Sequence, residues 1–162
     1  MMARDARGTR LRRAFTLVEV LIVVVILGIL ASVVIPSFAN ATEPTRQAAF
    51  VTNMQDFAEA AQLHKIRKGD YPPDTTSGEL PDGFDDLIDP RDWIGPTPIG
   101  GVWDTEDVNG NYGVGIHFDG TGETRDEAYM TQIDEIFDDG DLAAGMFQAA
   151  GEGRYYMILI RN

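Results

Sequence analysis

Within residues 15–38 the chain carries one charge, Glu19, at the start of an apolar run interrupted only by Thr16 and Ser32 before Pro36 and Ser37. A carboxylate in hydrocarbon costs on the order of 2–3 kcal/mol at the bilayer centre and less near the interface, so such a residue points to function by default. Its chemistry is ion pairing: it calls for a cationic or hydrogen-bonding partner. A glutamate that snorkels to the nearby interface is the plainer reading of the same position.

Elsewhere the chemistry is thinner. The stretch Asp104-Thr105-Glu106-Asp107-Val108-Asn109-Gly110-Asn111 offers oxygen ligands around a glycine, and Asp119 follows the next predicted strand. Asp104, Asp107, Asn109 and Asp119 thus form a weak calcium set; the twelve-residue calcium-hand pattern fails for want of its terminal glutamate, and a plain acidic hairpin loop is the simpler expectation. For catalysis, Ser77 is the one serine outside the apolar segment, and His64 and His117 are the two histidines. No nucleophile with a base is legible, so an enzyme is not expected and no catalytic residue or cofactor is assigned. Asp82, Asp85, Asp86, Asp89 and Asp92 read as a solvated acidic loop. The absence of cysteine excludes disulfides, thiolate nucleophiles and cysteine-type zinc sites.

The apolar run that holds Glu19 is long enough to span a membrane, since about 20 helical residues at roughly 1.5 Å each cross a core of about 30 Å. Residues 1–14 carry five arginines against Asp5, a net of +4, so of the formal charge of −13 the rest of the chain carries −17. The arginines before the run keep the N-terminus cytoplasmic and send the remainder outward. So acidic a body repels phosphate backbones, and direct nucleic-acid binding is not expected. A cleaved secretory signal shares this charge order, with Ala39-Asn40-Ala41 as its small-residue site, but its apolar region is shorter and lacks an early acidic residue.

The segment Arg13-Ala14-Phe15-Thr16-Leu17-Val18-Glu19, followed by the apolar run, Gly28 and Pro36, resembles the class III leader of type IV pilins and pseudopilins. The resemblance implies cleavage between Ala14 and Phe15 by a prepilin peptidase, methylation of the new Phe15 amine, and a role for Glu19 in pairing with a neighbouring subunit's amine during assembly. It also implies a helix kink at Pro36. Ala14 departs from the glycine usual before the cut.

Beyond the membrane segment, Pro44 either bends a continuing helix or opens a new one capped at Thr42 or Glu43. Phe50, Met54, Phe57 and Ala61, with Val51 and Ala58 beside them, predict an amphipathic helix over residues 46–68 whose stripe packs on a sheet. Gly69 and the prolines at 72 and 73 end it and open an irregular stretch to about Gly101. Short strands are expected at 101–103, 112–118, 146–148 and 154–160, with a hairpin over 149–153. A helix over 126–137 places Tyr129, Met130, Ile133, Ile136 and Phe137 on one face. The expected fold is α+β, a long N-terminal helix on a small antiparallel sheet with one inserted helix. The expected organisation is a basic leader at 1–14, a transmembrane helix at 15–38, an amphipathic helical half at 39–68 and an acidic head at 69–162.

The long helix, then Lys68-Gly69-Asp70-Tyr71-Pro72-Pro73, then a turn-rich connection, is also similar to the type II secretion major pseudopilin, whose sheet holds calcium in a loop. The inserted helix and the lack of cysteine depart from the usual pseudopilin and pilin heads. The resemblance implies an inner-membrane, single-pass subunit with a periplasmic or extracellular head, incorporated in a filament. Its partners would be other pilin-like subunits, the prepilin peptidase, an inner-membrane platform protein and an assembly ATPase. The rival is a membrane-anchored module that binds calcium or a cationic ligand and never polymerises.

Overall fold

The computed structural model describes residues 16–160, and within its first helix the side chains of residues 31–41 are not among those described. The chain divides into two compact units, residues 1–42 and 43–162. Helix α1, Leu17–Lys68, has residues in each and includes Pro36 and Pro44. No helix begins afresh at Pro44.

In the first unit every large apolar side chain of residues 17–30 is more than half exposed, so this stretch is apolar on all faces. Among the described residues no helix is long and apolar enough to cross a membrane. The described apolar side chains end at Leu30, and positions 31–38 of the expected span lie outside the described side chains.

In the second unit, Phe50, Val51, Met54, Phe57, Ala58 and Ala61 are all buried, as a stripe spaced by three and four residues requires. Phe50 stacks on Trp103 with ring centroids 5.2 Å apart, and Phe57 meets Trp103 edge-on at 4.9 Å. Gly69 closes the helix at φ +96°, its N–H donating to Lys65 O at 2.8 Å, a left-handed conformation that glycine adopts without penalty.

Four antiparallel strands, β1 (Val102–Val108), β2 (Asn111–His117), β3 (Phe147–Ala149) and β4 (Arg154–Leu159), order as β1-β2-β4-β3. One face carries Trp103, Tyr112, Val114, Ile116, Phe147, Tyr155, Met157 and Leu159 into the shared core. The opposite face has glycine at 113 and 115, where an added Cβ would meet the Tyr156 side chain and the Tyr155 carbonyl, and Tyr156 is fully buried there.

Three features differ from the sequence expectation. Residues 104–108 are strand rather than loop, and β1 turns into β2 through Asn109 (φ 54°) and Gly110 (φ 82°) alone, the tight Asn-Gly hairpin. The irregular stretch holds a short helix, α2 (Pro90–Ile94), capped by Asp89 with Pro90 at its start, which buries Trp93 and lets its indole N–H donate to Glu79 O at 2.8 Å. Helix α3 (Glu127–Phe137), capped by Asp126, buries Met130, Ile133 and Asp134, while Ile136 is half exposed. Tyr129 and Phe137 are partly buried and pack against the same core, so Ile136 alone departs from the expected face, and the buried Asp134 lies beside it.

Candidate assembly site and polar clusters of the head

Thr16 stands just before α1 and Glu19 lies in its first turn. The Thr16 N–H and hydroxyl donate to Glu19 Oε2 at 2.8 and 3.0 Å, and the Glu19 N–H donates to Thr16 Oγ1 at 3.2 Å. This is a reciprocal capping box, satisfying backbone donors that a helix start leaves open. The signal was legible as threonine followed three residues later by glutamate. Both bonds from Thr16 fall on Oε2, and the large apolar side chains of residues 17–30 around Glu19 are exposed. Ala14 and Phe15 lie outside the described residues, and so does the side chain of Pro36.

The calcium set read from the sequence is dispersed. Asp104 lies inside β1, 3% exposed, where the Tyr156 hydroxyl donates to its Oδ2 at 2.6 Å. Burial pushes the Asp104 carboxyl above its ordinary range, against the pull of Tyr156, Ser77, Arg154 and His117. Asp107 caps the hairpin by accepting Gly110 N–H at 2.8 Å, and Asn109 forms the turn itself. Asp119 accepts from Thr121 N–H and hydroxyl at 2.9 and 2.6 Å, bonds that hold its carboxyl below the usual range. Asp107 pairs with Tyr112, and seven residues at about 3.4 Å each place Asp119 roughly 20 Å further along. The four residues cannot share one ion.

The fold does bring together Ser77 and His117, which sequence reasoning left apart. Ser77 Oγ lies 2.8 Å from His117 Nδ1, and Ser77 also stabilises the ionised form of Asp104. The arrangement pins the loop before Gly78, whose N–H donates to Trp103 O at 2.8 Å, onto the edge of β1. Forty residues of separation hide such a pair from sequence patterns.

A second cluster ties the start of this unit to the segment before α3. The largely buried Arg125 pairs with Glu43 at 2.9 Å and Glu123 at 3.0 Å, Arg46 reaches Glu123 at 2.8 Å, and the Tyr129 hydroxyl donates to Glu43 at 2.7 Å. Burial, then the bond to Glu43, pushes the Tyr129 phenol up to about 12.

Residues 9–35 match the family model described as the prokaryotic N-terminal methylation motif. The chain is similar to the type II secretion system core protein G of Vibrio cholerae, 41% identical over 63 residues, which is 39% of this chain and 43% of that protein. It is 33% identical over 66 residues to the core protein G of Escherichia coli, covering 41% and 46% of the two chains. To that of Aeromonas hydrophila it is 38% identical over 63 residues, covering 39% and 44%. The chain therefore spans just under half the length of the curated relatives it matches. No solved structure matches it significantly. The chain carries the N-terminal methylation motif of prepilins and, over about two-fifths of its length, resembles the type II secretion core protein G pseudopilins.

Proposed function

We propose that the chain is a pilin-like structural subunit that enters a type II secretion pseudopilus or related filament after cleavage between Ala14 and Phe15 and methylation of Phe15. One observation carries this reading: a helix start apolar on every face holds a single carboxylate, Glu19, within the segment that matches the methylation motif. Apolar residues all round a helix need lipid or other helices about them. Glu19 with its capping bonds on Oε2 keeps an acceptor for the amine of a neighbouring subunit, and in apolar surroundings that pairing favours one axial register. Pro36, which lacks a backbone donor, would loosen α1 within the first unit.

In this reading α1 anchors the subunit in the inner membrane with its N-terminus cytoplasmic and its acidic head periplasmic or extracellular. The partners are other pilin-like subunits, the prepilin peptidase, the inner-membrane platform protein and the assembly ATPase. Catalysis forms no part of the role.

The test is to express wild type and Glu19→Ala in the native membrane, reading the N-terminus by intact mass and incorporation by filament shearing. Both chains should begin at methylated Phe15, and only the wild type should appear in sheared filaments. Equal incorporation of Glu19→Ala would remove the assembly role. An uncut chain that stays in the membrane would support an anchored module instead.

A further inference from the structure

Two exposed patches of the second unit complement each other, and neither complements itself. Along the last turns of α1, Leu63, Ile66 and Arg67 share one face by three- and four-residue spacing, with Lys68 beside them. Ile66 is 80% exposed and Leu63 is exposed as well, so the fold leaves this apolar pair in solvent. Single apolar residues on a surface need no explanation, but an adjacent pair rimmed by charge marks a contact site.

The charge of this first patch is uncommitted. Arg46, Arg91, Arg125 and Arg154 each pair with a carboxylate. Lys65 lies over the Tyr71 ring, 4.6 Å from its centroid, and donates to Ile160 O at 3.5 Å. Arg67 and Lys68 are exposed, and no ion pair among the described residues involves either of them. Asp86 borders the same shallow recess and pairs with neither.

The second patch lies where α3 gives way to β3. Ile136 and Met146 are each 50% exposed. Asp138, two residues after Ile136, accepts the Met146 N–H, and Phe137 packs on Phe147 with ring centroids 5.6 Å apart. The two exposed apolar side chains therefore sit on segments that touch. Around them stand Glu135, Asp138, Asp139 and Asp141, and α3 has no basic residue in its last turn. An acidic rim surrounds apolar side chains here, where a basic rim surrounds them on α1.

We propose that the α1 face formed by Leu63, Ile66, Arg67 and Lys68 docks on the patch of Ile136 and Met146 in a second copy of this chain. Setting either patch against its own copy would oppose like charges, which costs binding energy. The contact therefore joins unlike surfaces, the heterologous kind that extends a row of subunits instead of closing a symmetric pair. It names the head-to-head contact of the proposed filament and rests on that reading. A contact this small does not have to hold alone, since neighbouring helices packed in one filament raise the effective concentration of the heads.

The chain has no cysteine, so an introduced pair reports one contact only. Full-length Ile66→Cys and Met146→Cys chains with different tags are co-expressed in the native membrane, sheared as filaments and treated with a mild oxidant. Both substituted positions are exposed, which leaves the core intact. A disulfide bearing both tags should form, because bridging requires Cα atoms within about 7 Å. Neither variant expressed alone should dimerise, and a chain carrying both substitutions should give a ladder of multimers. Adding Arg67→Glu to the Ile66→Cys chain should abolish most of the mixed product. The proposal is overturned if both tagged chains enter filaments without a mixed disulfide, if either variant alone dimerises as fully, or if Arg67→Glu leaves the yield unchanged. A mixed disulfide in the membrane without any filaments would keep the contact and sink the filament reading; absence of both would sink the two together.

Discussion

Asp104 and Tyr156 show what one buried bond has to do. The carboxylate sits between strands with a phenol donor at 2.6 Å, and its folded-state pKa is raised. For a raised acid, the stabilising contribution is complete below the unfolded value near 3.8 and is lost as pH rises through the folded value. Asp104→Asn, which keeps an acceptor for Tyr156 and removes the charge, should therefore flatten the fall in stability above about pH 4, read by urea denaturation at several pH values. Tyr156→Phe should do the reverse, leaving the carboxylate without its main donor at a cost of about 1–3 kcal/mol. An equal stability of Tyr156→Phe and wild type at neutral pH would show that water replaces the phenol.

At the scale of elements, the sheet depends on closeness that only glycine permits. Gly115 pairs with Tyr156, and a Cβ there would sit on the Tyr155 carbonyl, which is backbone and cannot swing aside. Gly115→Ala should separate β2 from β4 and destabilise the head by about 1–3 kcal/mol or more, measurable as a lower denaturation midpoint. Gly110→Ala fails for another reason: open space surrounds that position, but its φ of +82° strains any side chain. The first should disturb amide exchange across β2 and β4, the second only at the hairpin. Matching exchange patterns in the two variants would refute this division.

For the whole molecule, the partition into two units has a physical basis. Every residue of the buried core cluster lies at Phe50 or beyond, whereas the described apolar residues of the first unit have no core of their own. A chain beginning at Glu43 should therefore fold cooperatively in water, with a single unfolding transition reported alike by tryptophan fluorescence and far-ultraviolet circular dichroism. Non-coincident transitions would mean that the head needs the preceding helix. The first unit should in turn require lipid, detergent or other helices, as the filament reading demands.

The sequence by itself determined the parts whose signals are local. Glu19 in its apolar run, the 50–54–57–61 stripe, Gly69 as helix stop and most strand positions were readable because periodicity and turn chemistry act over a few residues. Residues 104–108 misled because their acidic composition suggests a loop, while the pairing of Asp104 with Gly115 and the phenol of Tyr156 make a buried strand tolerable. Ile136 misled for a similar reason: periodicity fixes that α3 has a buried face, but the packing against its neighbours fixes where the edge of that face falls, and Ile136 ends half exposed while Asp134 is buried. Only tertiary structure joined Ser77 to His117, Arg125 to Glu43, and Asp134 to Asp138 and Asp139 inside a closed turn. Burial is a property of the packed chain, and a carboxylate acquires its chemistry from what the fold removes from around it.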